Sequence, residues 1–266
     1  SIFLLGPVLA RFGQADFTYP GGCEIGLRPI DLHLQGLAQM GVRQLPAAPG
    51  QLTLYAPAGL RGAEICLAFP SVGATETLLL AAATAQGQTV LHGAAREPEI
   101  ADLAAFLNAC GGCVEGAGTD TIRVQGRRCL AGCTFAPMAD RIIASTLACA
   151  AAAAGGRVEL TGCPPALYAP VLEILEQMGC GVVRRSDAAV ITRFGRLYGP
   201  GRVFTGAYPA LVIAALAAQG SSRITHTEFI DRGYADFAQK LTALGGQIAR
   251  ETPRGADCPK KRTSKT

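Results

Sequence analysis

Leu37-Ala38-Gln39-Met40-Gly41 is one of four copies of the same short word. The others are Leu107-Asn108-Ala109-Cys110-Gly111, Leu175-Glu176-Gln177-Met178-Gly179 and Leu241-Thr242-Ala243-Leu244-Gly245. The closing glycines stand 70, 68 and 66 residues apart, a near-constant period that marks repeated supersecondary units. Each word reads as the end of a helix that gives way to a strand. A second helix lies upstream in each copy and is expected to stop at Gly13, Gly87, Gly156 or Gly220, glycine in that place reading as a helix C-cap. Each of those glycines leads into a short strand, such as Thr89-Val90-Leu91-His92 or Arg157-Val158-Glu159-Leu160. Two more strands follow the second helix, for example Leu52-Thr53-Leu54-Tyr55 and Ala63-Glu64-Ile65-Cys66-Leu67. One copy is therefore about βαβαββ, an α/β unit whose two helices need a sheet to cover them.

Just upstream of the first word runs Pro20-Gly21-Gly22-Cys23-Glu24-Ile25-Gly26-Leu27-Arg28-Pro29-Ile30-Asp31-Leu32-His33. Gly21, Gly22 and Gly26 suit a loop that turns or lets something approach its backbone. Cys23 lies within it, and Arg28 follows five residues later. Pro29 reads as the first residue of a helix whose apolar face is Ile30, Leu34 and Leu37. A thiol, a guanidinium and a helix N-terminus close together suit an anionic substrate. A thiolate beside positive charge is also a stronger nucleophile and acid/base than a core cysteine. The bland alternatives are a cysteine packed as a small hydrophobe, a plain Gly-Gly turn and a solvated arginine.

The 266 residues are enough for one large domain or two smaller ones. Trp is absent and Gly numbers 33, so the core must be aliphatic and alanine-rich. The net charge is +4, but Arg254, Lys260, Lys261, Arg262 and Lys265 against Glu251 and Asp257 put +3 of it on residues 251–266. A body near neutrality argues against a general nucleic-acid surface, and the basic tail reads as disordered. Of ten cysteines, Cys66, Cys149, Cys163 and Cys180 fall in apolar segments and read as core. Cys110-Gly111-Gly112-Cys113 with Cys129 and Cys133 has a metal-site look, yet His33, His92 and His226 are scattered, so no metal is expected. Free thiols in this number, with no secretory signal ahead of them, point to a reducing cytoplasm. The apolar helices are short and glycine-bounded, so no membrane span is expected.

Several words, in order, resemble one family. They are Leu5-Gly6-Pro7-Val8-Leu9-Ala10-Arg11-Phe12-Gly13, Pro20-Gly21-Gly22-Cys23, Gly26 and Arg28-Pro29-Ile30-Asp31-Leu32-His33. Further on stand Ser71-Val72-Gly73-Ala74-Thr75-Glu76, Ala94-Ala95-Arg96-Glu97-Pro98-Glu99-Ile100 and Gly116-Ala117-Gly118-Thr119-Asp120. Together they resemble the UDP-N-acetylglucosamine 1-carboxyvinyltransferases (UDP-N-acetylglucosamine enolpyruvyl transferases), a branch of the EPSP synthase/enolpyruvyl transferase family. The resemblance is strong over residues 1–125, weaker over 126–250 and absent in the last fifteen or so. It implies the inverse α/β prism, the enolpyruvyl transferase fold, with three βαβαββ units per domain and two domains around a cleft. Here the prism is expected to be incomplete. Residues 1–138 would be the catalytic-loop domain with two units, 139–250 a second domain of partial units, and 251–266 the tail. The family proteins are longer, and Ser1 looks like an internal start, as in a truncated or divergent form.

The resemblance also implies a reaction. The enolpyruvyl group of phosphoenolpyruvate passes to the 3′-hydroxyl of UDP-N-acetylglucosamine, with release of phosphate, in the first committed step of peptidoglycan synthesis. Cys23 matches the family's proton donor and site of a covalent phosphoenolpyruvate adduct. Arg28 matches the arginine that clamps phosphate. Pro29, Ile30, Asp31 and Leu32 match the turn that holds the uridine end. Ser71, Val72 and Gly73 match the segment that meets the nucleotide's phosphates. Arg232 falls on a family arginine in either register of Ile224–Tyr234 and, in one, contacts phosphoenolpyruvate. No metal or organic cofactor is implied, phosphoenolpyruvate being a co-substrate. Read from the residues alone, Asp31 is a first-turn carboxylate, Ser71 an N-cap, His33 a packed or solvated side chain, and Arg96-Glu97-Pro98-Glu99 a charged turn that opens a helix.

Departures from the family pattern set up the competing readings. Phe69 stands where the family has a basic residue. Asp140-Arg141-Ile142-Ile143 lacks the family's glutamate, and after Thr205-Gly206-Ala207-Tyr208-Pro209 the chain enters Ala210-Leu211-Val212-Ile213 without the aspartate-bearing loop. The alternative is a catalytically impaired relative that only binds the UDP-sugar. The sister reaction on shikimate 3-phosphate is disfavoured by the Pro-Gly-Gly-Cys loop, and a thiol hydrolase by the lack of a nucleophile-elbow pattern. Missing units would leave apolar faces uncovered, so self-association is expected.

Overall fold

The computed structural model describes residues 2–18, 30–204, 209–227, 230–231 and 234–251. The chain divides into two compact units, Ser1–Arg141 and Ile142–Thr266. In the first, a 3-10 turn at Ile2–Leu4 precedes α1 (Leu5–Phe12), β1 (Gln14–Thr18), α2 (Asp31–Gln39), β2 (Arg43–Leu45) and β3 (Gln51–Tyr55). Then come β4 (Glu64–Cys66), α3 (Val72–Ala82), β5 (Gln88–His92), α4 (Pro98–Ala109), β6 (Val114–Glu115) and β7 (Thr121–Gln125). After α5 (Arg141–Ala154), the second unit holds β8 (Gly156–Thr161), a 3-10 turn at Pro165–Tyr168, α6 (Ala169–Gln177), β9 (Gly181–Arg184) and β10 (Ala188–Arg193). It continues with β11 (Gly201–Phe204), α7 (Ala210–Leu216), β12 (Ser222–Thr225) and α8 (Phe237–Ala243).

β4-α3-β5-α4-β6-β7 is a complete βαβαββ copy, and its sheet runs β4-β5-β7-β6. β4 lies parallel to β5, while β7 pairs antiparallel with both β5 and β6. The same order recurs as β1-β3-β2 and β8-β10-β9, antiparallel throughout. β11 and β12 repeat the parallel pair. Register follows the alternation of apolar residues: Ala15 faces Leu54 across β1 and β3, and Leu91 faces Ile122 across β5 and β7. All four are buried, which fixes the pairing because a one-residue slip would turn them outward.

The four repeated words form one local structure. Gly41, Gly111, Gly179 and Gly245 all have φ between +86° and +101°. Their N–H groups donate to Ala38, Asn108, Glu176 and Thr242, and the next residue donates to the word's leucine, as Val42 does to Leu37 and Cys180 to Leu175. This pair of bonds is the Schellman motif, which satisfies the last helical carbonyls and needs a left-handed residue. The upstream glycines do not behave alike. Gly13 caps α1 with φ 71°. α3 and α7 stop earlier, capped by Ala83 and Ala217, and the residue that follows α5 is Gly155, one place before Gly156. Gly87 and Gly220 instead shape the turns before their strands.

In the first unit α3 is buried on nearly every side, through Ala74, Thr75, Thr77, Leu78, Leu79, Ala81 and Ala82. α1 and α2 reach it through glycines. A Cβ on Gly6 would lie 2.4 Å from the Thr77 carbonyl oxygen, and one on Gly36 would lie 2.6 Å from the Leu78 methyl carbons. α2 departs from its expected form in two ways. It begins at Asp31, two residues after Pro29, with Ile30 non-helical at φ −118° and ψ 15°. Its buried side is also wider than Ile30, Leu34 and Leu37, taking in Leu32, His33 and Gly36 while Leu34 is only half-buried, because both α3 and β4 cover it. Cys149, Cys163 and Cys180 are buried as expected, but Cys66 is exposed, being an outward residue of the edge strand β4 beside inward Ile65. No helix among the described residues is long and apolar enough to cross a membrane.

Gly6→Ala should destabilise the first unit by about 2–3 kcal/mol in urea unfolding, since the obstacle is backbone. Gly36→Ala should cost less, because the Leu78 side chain can turn away. Equal losses would contradict this packing argument.

Candidate functional site

Two helix N-termini, those of α2 and α3, define the candidate site. Ser71 ends an extended stretch (φ −119°, ψ 115°) and caps α3, its Oγ accepting from the Ala74 N–H at 3.4 Å. The first-turn N–H groups of α3, among them those of Val72 and Gly73, have no acceptor within the helix. They lie where the helix dipole favours negative charge. Ser71, Val72 and Gly73 are all half-buried, so this turn is reachable from solvent. Thr75, one turn on, is fully buried, and its Oγ1 accepts from the Ala95 N–H at 3.1 Å. That bond fixes the start of α3 to the turn that opens α4.

α2 meets α3 through His33. A Cβ on Gly73 would stand 3.2 Å from His33 Nε2, so glycine lets the imidazole lie against this turn where a side chain would push it back by a few tenths of an ångström. Both ring nitrogens are buried without a well-formed hydrogen bond. Burial lowers the imidazole pKa, opposed in part by the Asp31 carboxylate and the Gly73 backbone, and His33 is packed rather than solvated. Of the expected site residues on α2, Asp31 is exposed while Ile30 and Leu32 belong to the core. Asp31 can therefore offer a side chain to a ligand, and Ile30 and Leu32 mainly fix the turn. Phe69, two residues before Ser71, is 47% exposed.

Through His33 and Gly73 the structure sets the start of α2, which carries Asp31 and Leu32 after Ile30, beside the start of α3, which carries Val72 and Gly73 after Ser71. Cys23, Arg28, Pro29 and Arg232 lie outside the described residues. Among the described residues no three His, Cys, Asp or Glu side chains gather as a metal site.

One crowding of like charges and one ion pair near α4 carry no signal in the residue pattern. Glu76 faces Glu97 and Glu99, and burial first, then these two carboxylates, raise its pKa. Glu99 is held by Arg141, whose Nε and Nη2 donate to its two carboxylate oxygens at 2.8 and 3.3 Å. The partners stand 42 residues apart, too far for any spacing rule. Arg96-Glu97-Pro98-Glu99 does open a helix: Glu97 is the N-cap of α4 and Pro98 its first residue. Arg96 turns outward to Asp120 at 3.1 Å.

With this geometry in hand, the chain can be set beside known proteins. The family model of EPSP synthase (3-phosphoshikimate 1-carboxyvinyltransferase) matches residues 1–200. The chain belongs to the EPSP synthase family. Two relatives are named UDP-N-acetylglucosamine 1-carboxyvinyltransferase. The one from Caulobacter sp. (strain K31) is 45% identical over 257 residues, covering 94% of this chain and 59% of the relative. The one from Shewanella halifaxensis is 43% identical over 241 residues, covering 87% and 57%. The chain therefore spans less than two thirds of the length of these relatives. Among solved structures, the enolpyruvyl transferase NikO from Streptomyces tendae superposes with a TM-score of 0.73 at 21% identity, over 93% of this chain and 60% of that one. An EPSP synthase from Acinetobacter baumannii gives 0.66 at 24%, over 91% and 58%. The fold is that of the enolpyruvyl transferases, as the repeat and the sequence words led us to expect.

Two titrations test the electrostatics of this EPSP synthase-family site. An imidazole kept neutral in the fold, but free to take a proton when unfolded, loses stability for the protein as pH falls below the ordinary 6.5. Wild type should therefore lose more melting temperature between about pH 7.5 and about pH 5.5 than His33→Gln; parallel profiles would contradict a neutral, buried His33. Glu76 has the opposite sign, its folded pKa lying above the ordinary 4.5. Glu76→Gln should raise the melting temperature by about 1–3 °C at neutral pH. That advantage should shrink as wild type takes up its proton toward 4.5; a gain that persists undiminished there would rule out the charge crowding.

Proposed function

We propose that this chain carries the transfer of the enolpyruvyl group from phosphoenolpyruvate to the 3′-hydroxyl of UDP-N-acetylglucosamine, with release of phosphate. This is a step of peptidoglycan synthesis, which we assign to the cytoplasm. The observation that carries the reading is the pair of relatives at 45% and 43% identity whose names specify that sugar nucleotide. The juxtaposed N-termini of α2 and α3 support it, since first-turn N–H groups and aligned peptide dipoles suit a diphosphate.

In this reading residues 1–138 form the catalytic-loop domain. Cys23 delivers a proton to the methylene carbon of phosphoenolpyruvate and is the thiol that adds to it. The neighbouring carbon gains oxocarbenium character and is attacked by the sugar's 3′-oxygen, which gives up its proton. The tetrahedral adduct then expels phosphate and loses a methyl proton, restoring the double bond. Arg28, with Arg232, clamps the anionic groups, a task suited to the guanidinium fork. Pro29, Ile30, Asp31 and Leu32 hold the uridine end, with Asp31 supplying the exposed carboxylate. Ser71, Val72 and Gly73 receive the diphosphate. The residues call for no metal or organic cofactor in this scheme.

The test is intact mass after incubation with the epoxide fosfomycin, with and without UDP-N-acetylglucosamine, for wild type and Cys23→Ser. We expect one adduct, formed faster with the sugar nucleotide and lost in the variant. Absence of labelling, or labelling spread over several of the ten thiols, would overturn the assignment of Cys23 and Arg28.

A further inference from the structure

The cysteines Cys110, Cys113, Cys129 and Cys133 have no part in the transfer chemistry. Among the described residues they do not assemble a metal site. Two of them meet nevertheless: the sulfurs of Cys110 and Cys133 are 3.4 Å apart, one thiol donating to the other. Cys110 is buried at the C-cap of α4, and Cys133 is exposed on the irregular segment 127–140.

That segment lies along one face of α4, antiparallel to it. Arg141 pairs with Glu99, the Met138 N–H donates to Asp102 at 3.1 Å, and Phe135 meets Phe106 edge-on at 5.5 Å. The Ala131 N–H then donates to the Cys110 carbonyl at 2.8 Å. Glu99, Asp102, Phe106 and Cys110 form a single helical stripe, one contact per turn. The segment is a strap, and it carries the chain from β7 to α5. Between strap and helix runs an open groove of about 380 Å³, lined by Leu103, Phe106, Phe135, Pro137 and Met138 among others. The strap is therefore held at points rather than packed along its length, and the thiol pair sits near its far end.

We propose that Cys110 and Cys133 are a peroxide-sensitive dithiol that closes to a disulfide and clamps the strap to α4. The sulfurs need to approach by about 1.4 Å to reach bonding distance. Exposed Cys133 is the attacking group. Its thiolate takes one oxygen of hydrogen peroxide, the O–O bond breaks, and the second oxygen leaves as water after gaining a proton. The Cys110 sulfur then displaces hydroxide from the Cys133 sulfenic acid, and a second water results. Two thiols and one peroxide thus yield one disulfide and two waters. The hydrogen bond it shares with Cys133, with the Cys110 thiol as donor, and then burial raise the Cys110 pKa, so Cys110 holds its proton, while Cys133 is the sulfur that peroxide reaches from solvent. Cys149, pushed up to about 12 by burial, takes no part. Thiols that are reduced at rest and oxidised transiently fit a reducing compartment. The inference is independent of the proposed transfer reaction.

The experiment treats the full chain with hydrogen peroxide, blocks remaining thiols with N-ethylmaleimide, and maps a non-reducing digest by mass spectrometry. We expect one Cys110–Cys133 crosslink, reversed by dithiothreitol and absent in Cys133→Ser. Amide hydrogen exchange over residues 131–138 should slow by about tenfold on oxidation. Alkylation of both thiols after peroxide, or Cys133 found as sulfinic acid or paired with Cys113 or Cys129, would overturn the proposal. A crosslink that forms without slowing exchange would overturn the clamp.

Discussion

Everything in the first unit depends on how closely two helices approach a third. α3 is apolar around most of its circumference and has no solvent face to spare. It is stable only when wrapped, and α1 and α2 do the wrapping through Gly6 and Gly36. Removing side chains at those points brings the axes together, so alanines and leucines make the dense contacts of an interior without tryptophan. The same closeness sets where the N-termini of α2 and α3 fall. His33 rests against Gly73 because both helices are held by one core.

What the sequence made legible is what local chemistry decides. The Leu-x-x-x-Gly words read correctly as helix ends because the Schellman turn needs a left-handed residue and returns a bond to that leucine. The βαβαββ order followed from the constant period. The upstream glycines misled where a turn lay between helix and strand: nothing in the residues around Gly87 says that α3 stops at Ala82. Cys66 was misread because an apolar run hides the inside–outside alternation of an edge strand. Pro29 drew the start of α2 two residues early, since proline marks a first turn without fixing which residue begins it.

The candidate site was legible in part for the same reason. Ser71 is an N-cap by residue type and position, and it caps α3 as such a residue should. Asp31 in the first turn of α2 was equally readable. The meeting of His33 with Gly73, the crowding of Glu76 by Glu97 and Glu99, and the grip of Arg141 on Glu99 are tertiary facts. Each joins residues that no periodicity connects, so only the packed molecule reveals them.

The Schellman turn also bears on how such a chain arose. Each copy closes its own helix with backbone bonds drawn from its own five residues and the one that follows them. A stretch of about seventy codons, the spacing of the four glycines, therefore encodes a cassette that ends itself. Duplication of such a cassette requires no new terminator and no coordinated change in its neighbour. What a cassette cannot supply for itself is its fit to the next one, and at the first junction Gly6 and Gly36 set that fit by letting α1 and α2 approach α3.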